Sequence, residues 1–244
     1  MSGAGRPMPS ARSVCAHDGA PRLAALALFD LDHTLLSGDS DALWCEYLMQ
    51  HGLLDRADFE PRNAEMVRRY ADASVSVEAF CDFYVSTLAG RTPAECSAWC
   101  QRFLDEVVVP RVPASARALV ERHREKGDRL VLTTATNRVI TELTAQHLGI
   151  AELIATEVEI ANGHYTGRTR GVLNMREGKV VRLHAWLAAQ AMPRELLDEA
   201  TLYSDSSNDL PLLGVVGHPV VVDPDARLRA HALAQGWPIV ELAR

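Results

Sequence analysis

Three short apolar runs, at 23–29, 129–132 and 200–203, each stop at a cluster of polar side chains, and patterns of helical period lie between them. That order leaves few folds open. Strands alternating with helices build a parallel sheet covered on both faces, and open parallel sheets bind ligands in the crevice at the carboxyl ends of their strands. Three clusters far apart in sequence are therefore expected to meet in one place.

The first cluster ends the run Leu26-Ala27-Leu28-Phe29-Asp30-Leu31-Asp32-His33-Thr34. Alternate residues of an extended chain point to the same side, so Asp30 and Asp32 converge while His33 is expected to point the other way, into packing or loop chemistry. Gly38 then breaks the chain, and Asp39, Ser40 or Asp41 is suited to cap a helix through Leu43, Trp44, Tyr47 and Leu48. Further helices are predicted over 56–72 and 76–89, and a fourth starts at Thr92-Pro93, with Thr as cap and Pro in the first turn. This helical block interrupts the strand–helix alternation.

The alternation resumes with a helix at 114–126, a strand at 129–133, a helix at 137–148 and a short strand at 153–155. Residues 157–170, centred on Asn162-Gly163, read as a hairpin whose turn needs positive φ. A helix over 178–190, a strand over 200–203, a helix over 208–213 and a last strand over 219–222 complete the expectation. The fold class is α/β: a Rossmann-like parallel sheet with an inserted all-helical cap. Its parts are a flexible tail at 1–21, a core formed by 22–41 and 111–244, and the cap at 42–110.

Composition narrows the function classes. With 25 basic and 32 acidic residues the net charge is −7, so broad attraction to nucleic acid or an anionic membrane is not expected. No uninterrupted apolar stretch reaches the length of a membrane span, and residues 1–21 lack an apolar signal core. Five cysteines, an odd number without zinc spacing, fit a reducing cytoplasm; Cys96 and Cys100, one helical turn apart, read as inert neighbours.

Paired carboxylates at a strand end suit phosphoryl transfer. A phosphate monoester demands charge neutralisation, a nucleophile in line and a proton for the leaving oxygen. Asp30 is placed to attack phosphorus and to bind Mg²⁺, and Asp32 to protonate the leaving group and then activate water. The same pair can also serve only as caps. Thr134 and the amide of Ala135, between a strand end and a helix start, are candidate phosphate contacts; a Thr-rich strand end can equally be an N-cap, and Arg138 can reach substrate or solvent. Lys179 is a candidate to neutralise phosphoryl oxygens and hold Asp30, although a lone Lys at a helix start is commonly solvated. In Ser204-Asp205-Ser206-Ser207-Asn208-Asp209, Asp205 is the second metal carboxylate, and Asp209 and Asn208 orient it, its waters or Lys179. Ser206 and Ser207 can instead belong to a capping loop.

With these residues in hand, the chain resembles the haloacid dehalogenase superfamily, in the phosphoserine-phosphatase-like branch whose helical cap follows the first motif. The resemblance spans about 22–225 and rests on Asp30, Asp32 and Thr34 with the Ser-Asp-x-x-Asn-Asp run at 204–209; Thr134 and Lys179 match the second and third motifs. It implies Mg²⁺ bound by the side chains of Asp30 and Asp205 and by the backbone carbonyl of Asp32. It also implies that Asp39, nine residues after Asp30, meets a substrate ammonium. The second motif reads Thr-Ala-Thr and the fourth Ser-Asp-Ser-Ser, which departs from phosphoserine phosphatases, while the strings Phe-Asp-Leu-Asp-His-Thr-Leu-Leu, Gly-Asp-Ser-Asp, Thr-Ala-Thr-Asn-Arg and Arg-Glu-Gly-Lys-Val resemble bacterial phosphatases similar to those for histidinol phosphate; histidinol phosphate and phosphoserine are the candidate substrates. The expected activity is hydrolysis of a small phosphorylated metabolite bearing an amine. The alternatives are phosphotransfer to an acceptor alcohol and, in another class, a non-catalytic phospho-aspartate signalling module. The oligomeric state is left open.

Overall fold

The structure, a computed structural model, describes residues 24–243, so the tail expected over 1–21 lies outside the described residues. A seven-stranded sheet runs in the order β4-β3-β2-β1-β5-β6-β7. Strand β1 (Leu26–Phe29) lies between β2 (Arg129–Asn137) and β5 (Thr201–Ser204), parallel to both. Beyond β5 come β6 (His218–Val222) and β7 (Ile239–Val240), also parallel. On the other side, β3 (Glu152–Ala161) pairs parallel with β2, and β4 (His164–Arg170) returns antiparallel.

Period-two alternation in β1 divides the core into two layers. Ala27 and Phe29 pack against α5 (Ala114–Glu125), α6 (Arg138–His147) and the helical block, while Leu26 and Leu28 pack against α7 (Glu177–Ala189), α8 (Leu210–Leu213) and α9 (Ala226–Gln235). Both faces of β1 are sealed, which is why the run reads as continuously apolar. Leu26 to Phe29 are each no more than 1% exposed.

Between β1 and α5, residues Ser40–Arg111 form the helical insertion: α1 (Ser40–Gln50), α2 (Arg56–Ala71), α3 (Val77–Val85) and α4 (Pro93–Phe103), the last running on through a π turn and a 3-10 turn. Of the three candidate caps, Asp39 accepts the Ala42 N–H and starts α1 at Ser40. Thr92 and Glu95 cap α4 reciprocally, Glu95 Oε2 accepting the Thr92 N–H at 2.7 Å and Thr92 Oγ1 accepting the Glu95 N–H at 3.2 Å.

Two boundaries differ from the sequence reading. The short strand at 153–155 and the first arm of the hairpin are one continuous strand, β3, which leaves the body of the sheet to pair with β4. Asn162 and Gly163, with φ of 51° and 77°, make the turn that the Asn-Gly pair requires. The strand at the end of the sequence-based series is not the last: α9 and the two-residue β7 follow β6. The hairpin also holds the insertion. Gly90 N–H donates to Tyr165 O (2.9 Å), Tyr165 N–H to Arg91 O (2.8 Å), and Asp82 Oδ1 accepts both the N–H and the hydroxyl of Thr169 at 2.7 Å.

Candidate active site

Asp30 leaves the end of β1, its N–H still donating to Tyr203 O at 2.9 Å, and the residue is buried. Lys179, in the first turn of α7, donates from Nζ to Asp30 Oδ1 at 2.8 Å and to Asp209 Oδ2 at 2.7 Å. Ser204 Oγ donates to the same Asp209 oxygen at 2.8 Å. A Cβ at Gly178 would lie 2.1 Å from Leu173 O, so only glycine lets this turn press against the preceding loop and carry Lys179 under the strand ends. Burial and the carboxylates of Asp209, Asp205 and Asp32 push the Asp30 carboxyl well above its ordinary range, against the pull of Lys179. Burial opposes the charge on Lys179, but Asp209 and Asp30 outweigh it and hold the ammonium protonated above its usual range.

Asp32 faces the other wall. Its Oδ1 accepts the Ser40 N–H at 2.7 Å, and its Oδ2 lies 3.0 Å from the Thr136 hydroxyl and 3.4 Å from that of Thr134. Burial, with Asp39 adding to it, pushes this carboxyl up to about 6, while Ser40 and Thr136 work in the opposite direction. A carboxyl in that range both gives and takes a proton near neutral pH.

Asp205 follows β5. Thr34 Oγ1 donates to its Oδ1 at 3.1 Å, and its backbone carbonyl accepts the Asp225 N–H at 3.0 Å. Asp225 in turn accepts the N–H groups of Ser207 and Leu228, each at 2.7 Å, tying the 205–209 loop to the start of α9. Burial raises the Asp205 carboxyl, with the Thr34 hydroxyl and His33 opposing. The donor set suits a hard divalent cation: Asp30 feels the carboxylates of Asp209, Asp205 and Asp32, while the one ammonium, Lys179, pairs with Asp30 and Asp209 alone, leaving an excess of negative charge at desolvated oxygens. Among the described residues no group of three or more His, Cys, Asp or Glu side chains is arranged to hold a metal ion. Mg²⁺ asks for fewer protein ligands, because it keeps several of its waters.

A cavity of about 250 Å³ joins these groups; Asp30, Asp32, Lys179, Asp205, Asn208 and Asp209 all line it. Ala135 also reaches it, whereas Thr134 is fully buried beneath, receiving the Thr136 N–H on its hydroxyl at 3.2 Å. Asp39 stands at the rim, exposed, with one oxygen committed to the α1 cap. Arg138 points elsewhere: its Nε lies 3.1 Å from Glu157 Oε1 and its terminal nitrogen donates to Leu153 O. His33 lines the cavity, contrary to the expectation from strand alternation, because its φ of 55° breaks the extended chain.

Several groups were not singled out from sequence. Thr136, two residues after Thr134 and so on the same side of the strand, bridges Asp32 and Asp41. Asn174 donates from its buried amide to Thr133 Oγ1, Thr134 O and Ile154 O, at 3.0, 2.9 and 2.8 Å, fixing the end of β2. Arg176 (φ 51°, ψ −127°) donates to the Tyr70 hydroxyl at 2.8 Å and to Asn208 Oδ1 at 3.3 Å, linking α2 to the site loops. Each joins segments distant in sequence, and apart from the Thr134–Thr136 spacing no local pattern marks it.

Residues 27–214 match the family model for haloacid dehalogenase-like hydrolases. A histidinol-phosphatase of Neisseria meningitidis is 37% identical over 216 residues, covering 88% of this chain and 97% of that protein. A phosphoserine phosphatase of Mycobacterium tuberculosis is 30% identical over 237 residues, covering 95% and 76%. A crystal structure of a protein of unknown function from Bordetella pertussis superposes with a TM-score of 0.87 at 40% identity, over 90% of this chain and 99% of that one. A phosphoserine phosphatase solved as a phospho-aspartyl intermediate analogue shares the fold, with a TM-score of 0.63 at 14% identity, over 91% and 94%. Matched along most of its length and built on this sheet, the chain belongs to the haloacid dehalogenase-like hydrolase family, as an enzyme of its phosphatase branch.

Proposed function

We propose that the enzyme hydrolyses phosphate monoesters of small amine-bearing metabolites through a phosphate ester of Asp30. The observation that carries this reading is the grip of Lys179 on Asp30 Oδ1 at 2.8 Å, at the edge of a cavity that Asp32 and Asp205 also line. An oxygen of Asp30 attacks phosphorus while Asp32 gives its proton to the departing alkoxide, releasing the alcohol. Asp32 then takes a proton from water, which attacks phosphorus, freeing inorganic phosphate and regenerating the Asp30 carboxylate.

Lys179 offsets charge on the phosphoryl oxygens, the amide of Ala135 contacts them at the end of β2 above the buried Thr134, whose hydroxyl lies 3.4 Å from Asp32, and Asn208 borders them from the opposite loop. Asp209 keeps Lys179 charged and aimed. The side chains of Asp30 and Asp205 and the carbonyl of Asp32 would hold Mg²⁺, which would supply neutralisation of the phosphate dianion. The helical insertion serves as a cap over the cavity, excluding bulk water and selecting the leaving group.

The relatives named for histidinol phosphate and phosphoserine support an amine-bearing substrate, since both esters carry nitrogen on the carbon next to the ester-bearing carbon. Purified protein assayed on nitrophenyl phosphate with and without Mg²⁺, then on histidinol phosphate, phosphoserine and a sugar phosphate, tests the reading. Mg²⁺-dependent hydrolysis with preference for the amines is expected; inactivity on every ester, or preference for the sugar phosphate, overturns it.

A further inference from the structure

Asp41 is the one acid at this cavity whose chemistry the proposed reaction leaves unused while its oxygen lies buried without a partner. It sits in the first turn of α1 and lines the cavity; its Oδ1 is buried and accepts no hydrogen bond. Its Oδ2 has only a shared neighbour. The Thr136 hydroxyl lies 3.4 Å away, but its single proton has Asp32 Oδ2 closer, at 3.0 Å, and Thr136 is itself approached by Ser40 Oγ at 3.0 Å. The charged groups around Asp41 are carboxylates, Asp39 and Asp32. A buried carboxylate so placed is costly until a donor reaches it.

The surroundings say what donor fits. Tyr84 and Phe80 line the cavity with Asp41 and meet edge-on at 5.2 Å, the Tyr84 hydroxyl feeling the Asp41 charge; Tyr70 backs Phe80 at 4.1 Å and its ring is already taken by Arg176. Aromatic walls beside an unpaired carboxylate suit an organic cation. One hydroxyl, that of Thr136, touches both Asp41 and Asp32, so a cation at Asp41 lies close to the leaving oxygen that Asp32 serves. Asp39 is the weaker reader, since it is exposed and one of its oxygens is held by the Ala42 N–H.

We propose that Asp41, not Asp39, receives the ammonium of a β-amino phosphate ester and so sets the substrate preference of this site. The assignment rests on the phosphatase reading above and refines it.

The test is the ratio of kcat/KM for histidinol phosphate to that for nitrophenyl phosphate, in wild type, Asp41→Asn and Asp39→Asn. Loss of a buried ionic hydrogen bond predicts that the ratio falls about 10- to 100-fold in Asp41→Asn and less in Asp39→Asn. In the wild-type enzyme, aminoethylphosphonate is expected to inhibit more tightly than ethylphosphonate, a comparison that stands even where a variant fails to fold. A proportional loss on both substrates in Asp41→Asn makes the residue a support for Asp32 and overturns the assignment, as does a larger fall in Asp39→Asn or equal inhibition by the two phosphonates. A wild-type enzyme that hydrolyses neither ester overturns the phosphatase reading itself, and with it the assignment. If it hydrolyses nitrophenyl phosphate and the ratio does not move in Asp41→Asn, the Asp41 assignment alone falls.

Discussion

Lys179 reaches Asp30 from a helix 149 residues further along the chain, and their 2.8 Å hydrogen bond is almost sealed from solvent, with side chains 3% and 9% exposed. Because Lys179 also holds Asp209, its removal strands two buried carboxylates at once. Lys179→Met is therefore expected to destabilise the fold by about 3–5 kcal/mol, seen as a lower urea midpoint, and to depress turnover further under conditions where it stays folded. An unchanged midpoint would mean that the two carboxylates need no countercharge.

Asp30→Asn keeps the size of the side chain and an oxygen for Lys179 to donate to, but removes the proposed nucleophile. Turnover of nitrophenyl phosphate should fall by at least about a thousandfold, a barrier increase of roughly 4 kcal/mol, with little change in thermal midpoint. Retention of full activity would remove Asp30 from the reaction.

Asp225 joins structure to chemistry from outside the cavity. Burial opposes its charge, but the N–H groups of Leu228 and Ser207 outweigh it and hold the carboxyl below its ordinary value of 3.8. A lowered folded-state value stabilises the fold above the unfolded value, and that stability is lost as pH falls through the folded one. Asp225→Ala should cost about 1 kcal/mol as a lost N-cap near neutral pH, with the gap to wild type closing in acid below the usual carboxylate range. Because the same residue steadies the Asp205 loop, the variant should also need more Mg²⁺ for half-maximal activity. A gap that persists at low pH would exclude a role for the ionised carboxylate.

Arg176 spans from the site loops to α2. Tyr70→Phe keeps the stack on Phe80 but deletes the acceptor for Arg176, so KM should rise about 2- to 10-fold, the equivalent of one modest hydrogen bond, with kcat changed less. An equal loss in both constants would place the contact in the chemical step rather than in closing the mouth.

Local pattern carried much of the architecture. The apolar run of β1, the Asn-Gly turn and the Thr92-Pro93 helix start were readable because each is specified by neighbours in sequence. The acidic clusters were readable too, since a strand end announces itself by the change from apolar to charged side chains. Contacts made only in three dimensions were not. The bonds of Asn174 to Thr133 and Ile154 cross 41 and 20 positions, and nothing near residue 174 signals them. His33 escaped because alternation was extended across a residue that takes positive φ, and β7, two residues long, is too short to show a period.

The seam between Gly90–Arg91 and Tyr165 has a mechanical consequence. Main-chain bonds anchor the helical lobe along the β3–β4 arm, whereas at α2 side chains such as Tyr70 and Arg176 reach across. Substitutions on α2 therefore disturb side-chain links alone, whereas those along the stitched side disturb the main-chain bonds that fasten the lobe to the sheet.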